Sequence, residues 1–335
     1  MTSADNPLVS SFLPPPIRPV ARDVVTFGEA LVLFLAEPGV PLSAATSFRR
    51  SVTGAELNLA VGLSRLGHRT GWFGRVGNDA HGHLIRRLLK SEDVDTSRIM
   101  TDDEAPTGLI VRDCHPGRRI DVCYARKGSA GSRLEPDDLD LSYISDCQVL
   151  GVTGVTTAIS PTAFAATLRA VGAAREAGVT VLFDPNIRHK LGPIEIQIDG
   201  MRQLCKVADI VLAGEEEAMA ISGLPDRADL GEWFLGQGAR LAVFKRGERG
   251  AWATDGDEVW QQPAFSMPVA DPVGAGDAFA AGFVSAALRG APVGQALKEA
   301  AVVGALDVAV AGDIEGLPTV EERDSFLAGS GLVRR

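Results

Sequence analysis

From Asp23 onward, short runs of β-branched and apolar residues alternate with stretches whose apolar positions recur every three to four residues. The run DVVTFGE at 23–29 predicts a strand ending at Gly28 and Glu29. In GAELNLAVGLSRLG at 54–67, Leu57, Ala60, Val61 and Leu66 recur at helical spacing and Gly67 supplies a stop. GWFGRVG at 71–77 reads as one strand, and DAHGHLIRRLLKSEDV at 79–94 as a helix. The alternation resumes with strands in CQVLGVTG, GVTVLFDPN, ADIVLAG and ARLAVFKRG, a helix from Pro161 to Ala177 and another in EEEAMAIS. These strands are apolar throughout, as expected of a parallel sheet covered on both faces. The pattern predicts a doubly wound α/β core.

Two segments break the rhythm. Residues 31–50 and 106–126 read as extended strands with turns, His115-Pro116-Gly117 being a hairpin turn. Neither is long enough for its own core, so both predict a small β-sheet lid beside the main sheet. Leu31, Leu33, Phe34 and Leu35 would either cover the chain's own site or pair with a second subunit as a homodimer. Residues 1–22 contain LPPPIRP and no basic stretch followed by an apolar one, which reads as a flexible tail and not a signal peptide. One folded domain over 23–325 and a C-terminal tail at 326–335 complete the expected organisation.

Composition narrows the classes. At 335 residues and 45% hydrophobic, the chain can bury a large core. The net charge of −10 argues against a nucleic-acid or anionic-membrane surface, and no apolar run is long enough to span a bilayer. Cys114, Cys123, Cys147 and Cys205 form no CxxC pair and read as free thiols in a reducing cytoplasm. His81 and His83 show no metal-ligand spacing and read as surface residues at a helix start.

The candidate chemistry lies in ADPVGAGDAFAAGF at 270–283. Gly274, Ala275 and Gly276 let backbone N–H groups converge on one point, and the following helix start favours an anion there. Asp277, kept ionised by the same helix dipole, is placed to accept a proton from a hydroxyl while the loop amides stabilise a moving phosphoryl group. By themselves these residues fit equally an ordinary capped helix with a glycine-rich entry. The chain contains no Gly-Lys dipeptide, which excludes a Walker-type P-loop, and Phe279 occupies the third glycine position of a dinucleotide fingerprint.

DPVGAGDAFAAGF resembles the C-terminal signature of the ribokinase-like (pfkB-type) carbohydrate kinases, and GAELNLAVGLSRLGHRTGWFGRVGNDAHG resembles their N-terminal one. The likeness runs from about Asp23 to Glu322 in the family's order. It implies a three-layer α/β/α fold with a central mostly parallel sheet and a β lid, and ATP-dependent phosphorylation of a primary sugar hydroxyl. Asp277 then becomes the catalytic base and the amides of Gly274, Ala275 and Gly276 the anion hole. FKRGERGA resembles the nucleotide-side segment, with Lys245, Gly247 and Gly250 near the phosphates or adenine. In AGEEEA, Gly214 stands where Asn or Ser is usual, while Glu217 matches the acid that organises Mg²⁺, generally through water. Pro272 and Val273 replace commoner threonines, and Ala301 falls on the adenine side where Asn is frequent. Activation by a monovalent cation is left open.

VCYARKGSAGSRL and FDPNIR resemble segments of the group that phosphorylates 2-keto-3-deoxygluconate. The substrate residues this implies are Gly54, Glu56 and Asn58 at the first helix, Tyr124 and Arg126 from the lid, and Arg188, with Glu29 on a sugar hydroxyl or capping a turn. Charge points the same way: an enzyme with net charge −10 needs local arginines to hold a sugar carboxylate. Ile110, where an aromatic is frequent in that group, leaves fructokinase or another sugar kinase open, as is a non-catalytic sugar or nucleotide sensor on the same fold.

Overall fold

The structure is a computed structural model that describes residues 12–115 and 117–329. Its strands, in chain order, are β1 (Arg22–Phe27), β2 (Leu31–Ala36), β3 (Phe48–Thr53), β4 (Thr70–Phe73), β5 (Arg75–Gly77), β6 (Met100–Asp102), β7 (Gly108–Arg112), β8 (Val122–Ala125), β9 (Cys147–Thr153), β10 (Thr180–Asp184), β11 (Ile210–Gly214), β12 (Leu241–Lys245), β13 (Ala251–Thr254) and β14 (Val259–Gln262). Eight of them form one sheet in the order β14-β13-β12-β11-β10-β9-β1-β4. It is parallel from β12 through β4 and antiparallel only at the β12-β13-β14 edge.

Successive side chains on a strand point to opposite faces, so continuous apolar strands feed two cores at once. Val24, Val149, Leu182, Leu212 and Val243 pack on one face against the helices Ala55–Arg65, Ala275–Leu288 and Val293–Asp307. Val25, Leu150, Val181, Phe183 and Val211 pack on the other against Pro161–Glu176 and Ile194–Cys205. This is the expected three-layer α/β/α arrangement.

The lid is a second, four-stranded sheet in the order β3-β2-β7-β8. β7 and β8 pair antiparallel as the hairpin reading requires, although Pro116 of its turn lies outside the described residues. Leu31, Leu33 and Leu35 are buried with Ile110 and Cys114, and Phe34 is half-buried on the main core. The chain itself covers the apolar lid residues considered for subunit pairing.

Four details depart from the sequence reading. GWFGRVG is two strands: β4 stays in the main sheet, while β5 pairs with β6 in a separate ribbon. The break falls at Gly74, where a Cβ would sit 2.2 Å from the carbonyl oxygen of Gly28, just past β1, so the close approach there requires glycine. His83 is exposed, but His81 is half-buried, its ring edge-on to Phe34 at 6.1 Å. Of the expected N-terminal tail, residues 1–11 lie outside the described region, whereas Leu13 is only 3% exposed in the core and Phe12 packs on Phe283. At the other end, the helix Val320–Leu327 enters the expected C-terminal tail, and residues 330–335 are not described. All four cysteines are free; Cys114, Cys147 and Cys205 are buried and Cys123 is exposed on the lid. Among the described residues no helix is long and apolar enough to cross a membrane.

Candidate active site

Parallel strands deliver their following loops to one edge of the sheet, where ligands of such folds collect. Here the carboxyl ends of β1, β10, β11 and β12 carry Glu29, Asp184 to Arg188, Gly214 to Glu217, and Lys245. The helix Ala275–Leu288 enters the same edge through Gly274, its N-cap, at φ +96°. A Cβ at Gly274 would lie 2.8 Å from the Asp313 carbonyl oxygen and 3.0 Å from Asp307 Oδ2, which restricts the position to glycine. The first helical bond runs from Ala278 N–H to Gly274 O, so the amides of Gly274, Ala275 and Gly276 precede the hydrogen-bonded ladder.

Asp277 is 8% exposed. Asn58 Nδ2 donates to its Oδ2 at 2.8 Å and Asn186 Nδ2 to its Oδ1 at 3.2 Å. Burial pushes this carboxyl up to about 7, partly offset by the Asn58 hydrogen bond and the nearby Arg188 charge. The helix start alone was expected to keep Asp277 ionised; its burial, which raises the pKa, is what that expectation left out. A base poised near neutrality suits proton transfer from a hydroxyl.

Lys245 Nζ lies 3.6 Å from where a Gly276 Cβ would be and donates to Asp184 Oδ2 at 2.6 Å. Burial works against its charge, but Asp184 and Glu217 outweigh it and keep the ammonium protonated. Glu217 has both oxygens engaged, accepting from Gly214 N at 2.7 Å and Ile187 N at 2.8 Å. It ties the loop after β10 to the helix after β11. Asp184 Oδ1 is buried without a hydrogen-bond partner. An unpartnered carboxylate oxygen on Asp184, with Glu217 nearby, is the kind of donor a divalent cation would take.

The lid side is built around a buried ion pair. Arg126 pairs with Glu29, whose other oxygen accepts from Ser129 Oγ, and stands 5.5 Å over the Tyr124 ring. Arg126, expected to hold a substrate carboxylate, here balances the charge of buried Glu29. Arg188 is exposed, and among the described residues its guanidinium has no ion-pair partner. Lys190 Nζ donates to the Val122 carbonyl at 2.6 Å, joining the loop after β10 to the lid.

Glu56, expected at the substrate, is buried in a hydrogen-bonded brace. Its Oε1 accepts from Thr153 and Thr156, both at 2.6 Å, its Oε2 lies against Gly28, and burial raises its pKa. It braces the first helix to β9. Gly54, at φ +157°, lets that helix start against the Glu29 carbonyl, which a Cβ would meet at 2.6 Å. Gly250, at φ +87°, would push a Cβ to 2.0 Å from Gln262 O, a turn requirement beside β14, and Gly247 opens that turn at φ +56°. Ala301 is buried within Val293–Asp307. Asp184 and Asn186 were not singled out from sequence; the FDPN stretch that carries them reads equally well as a strand end and turn.

The sequence profile of the pfkB family carbohydrate kinases matches residues 21–320. The chain is 36% identical over 316 residues to the 2-dehydro-3-deoxygluconokinase of Bacillus subtilis (strain 168), covering 93% of this chain and 98% of that one. It is 34% identical to the enzyme of the same name from Thermoproteus tenax, covering 91% and 94%. A solved structure described as a putative ribokinase II from E. coli in complex with ATP and Mg²⁺ superimposes with a TM-score of 0.86 at 26% identity, over 92% of this chain and 99% of that one. With Asp277 and its glycine loop at the carboxyl edge of a three-layer fold, and a profile match across nearly the whole chain, the protein belongs to the pfkB family of carbohydrate kinases.

Proposed function

We propose that this kinase transfers the γ-phosphoryl group of ATP to the terminal hydroxyl of a keto-deoxy sugar acid, 2-keto-3-deoxygluconate giving the 6-phosphate. The observation that carries the choice of an acid is Arg188: an exposed guanidinium without an ion-pair partner among the described residues, close enough to Asp277 to stabilise its charge. Arginine's planar fork matches a carboxylate. Two relatives at 34–36% identity that carry the 2-dehydro-3-deoxygluconokinase name support the same reading.

In this reading Asp277 takes the hydroxyl proton while Asn58 and Asn186 hold its two oxygens in place. The amides of Gly274, Ala275 and Gly276, with Lys245 beside them, stabilise charge on the phosphoryl group in flight. Asp184, with Glu217 acting through water, would hold the Mg²⁺ that accompanies the nucleotide and supplies positive charge to the phosphoryl oxygens. The lid, tied down by Lys190, excludes water from the transfer.

Arg188→Ala is expected to raise KM for 2-keto-3-deoxygluconate about 30- to 100-fold, the equivalent of about 2–3 kcal/mol for a charge-assisted pair. KM for a neutral ketose stays within about threefold because no carboxylate is lost. ADP release measured over a panel of neutral sugars and sugar acids checks both. Preference for fructose in the unaltered enzyme would replace the acid reading with a fructokinase, and absence of ADP release on every sugar would favour a sensor.

A further inference from the structure

Beneath the glycine loop lies a cluster of charged side chains that the reaction as described does not use. Arg112, the last residue of lid strand β7, is 1% exposed and reaches out of the lid into the main domain. Its Nη2 donates to Asp271 Oδ2 at 2.7 Å and to Asp313 Oδ1 at 2.6 Å. Asp271 stands three residues before Gly274 and is itself fully buried. Its oxygens accept from Val273 N at 3.2 Å and Gly312 N at 3.1 Å, so the same carboxylate shapes the approach to the loop. Asp313 stands on the other flank, its carbonyl oxygen 2.8 Å from where a Gly274 Cβ would be. A second lid residue, Thr53, donates to the remaining oxygen of Asp313, and Arg49 donates to the Ala311 carbonyl. Cys114 Sγ, also from the lid, meets the Ala270 carbonyl at 3.2 Å.

The charges around this point are unbalanced without Arg112. Asp271, Asp307 and Asp313 are all buried, and neither oxygen of Asp307 has a hydrogen-bond partner. Burial first, then the neighbouring Asp277, Asp313 and Asp271, push the Asp307 carboxyl up to about 8. Repulsion among buried carboxylates would spread the two segments that clamp Gly274, and a guanidinium between them draws them together.

We propose that Arg112 is a positioning residue for phosphoryl transfer: by bridging Asp271 and Asp313 it fixes the Gly274–Gly276 amides and couples their placement to the docked lid. This rests on the glycine loop's role in transfer and not on which sugar is accepted. Arg112 touches no reacting atom, so its loss shows in kcat more than in sugar affinity.

The test is steady-state kinetics and thermal unfolding of Arg112→Lys, Arg112→Gln and Arg112→Met in the full chain, using whichever sugar the unaltered enzyme phosphorylates best. Gln and Met are expected to lower kcat about 100-fold with sugar KM within about threefold, the scale of a roughly 1 Å displacement of catalytic groups. Lys keeps the charge but not the fork, and is expected to hold kcat between about one-tenth and one-third of the parental value. Folded Gln and Met variants with parental kcat would overturn the proposal, as would a loss confined to sugar KM, or a Lys variant no better than Met. Should the neutral variants fail to fold, the Lys variant decides: reduced kcat at constant KM supports the proposal, and unchanged kcat overturns it. Inactivity of the unaltered enzyme on 2-keto-3-deoxygluconate would count against the acid-sugar assignment alone, because the Arg112 comparison continues on the sugar that is accepted.

Discussion

Asp277→Asn is expected to turn over about 10³- to 10⁴-fold more slowly than the unaltered kinase while sugar KM stays within about threefold, because a general base acts in the transition state and little in the ground state. The amide keeps the shape and the contact with Asn58 but accepts no proton. The pH profile provides an independent signature. Burial holds the Asp277 carboxyl at about 7, and only the ionised form is a base. For the unaltered enzyme kcat/KM therefore falls as pH drops through about 7, and is level above it. The Asn variant loses that limb and is flat across the range. Steady-state ADP release between about pH 5.5 and 9 reads both effects. A variant with parental kcat, or an unaltered limb, would remove Asp277 from the mechanism.

Gly274→Ala carries the second large effect. A side chain at φ +96° is strained in itself, at roughly 1–2 kcal/mol, and its Cβ would approach the Asp313 carbonyl to 2.8 Å. Backbone cannot swing aside as a flexible side chain can, so the loop must shift and carry its amides with it. A kcat loss of about 100-fold is expected, comparable to removal of one oxyanion donor. Gly290→Ala is the control: it too has positive φ, +77°, but nothing lies within 4 Å of its added methyl. That variant should lose stability and keep kcat. Equal kcat in the two would mean that the loop geometry does not matter to transfer.

The periodicity of apolar residues made the layered fold legible, because each strand must feed two cores and each helix only one. The lid was legible by contrast, as extended segments without an intervening helix. Gly74 shows where local pattern stops: nothing near it marks a break, and its close neighbour is the carbonyl of Gly28, just past β1. The glycine loop, Asn58, Lys245 and Glu217 were visible because the family resemblance assigns them. Asp184 and Asn186 were not, although Asn186 bends at φ +41° to present its amide to Asp277. Arg112 reads as one more arginine in a strand, and its partners lie 159 and 201 residues away. The pairing of Arg126 with Glu29 was hidden because the two lie far apart in sequence.

Cys123 has a practical consequence. It sits on the exposed face of β8, beside Tyr124 and next to the Val122 carbonyl that Lys190 holds. The other three thiols are buried, with Cys114 raised to about 11 and Cys147 and Cys205 to about 12, so they are protonated and shielded at neutral pH. A maleimide dye added to the native enzyme should therefore mark the lid alone, without mutagenesis. Its emission would report on the lid's surroundings as sugar and nucleotide are added.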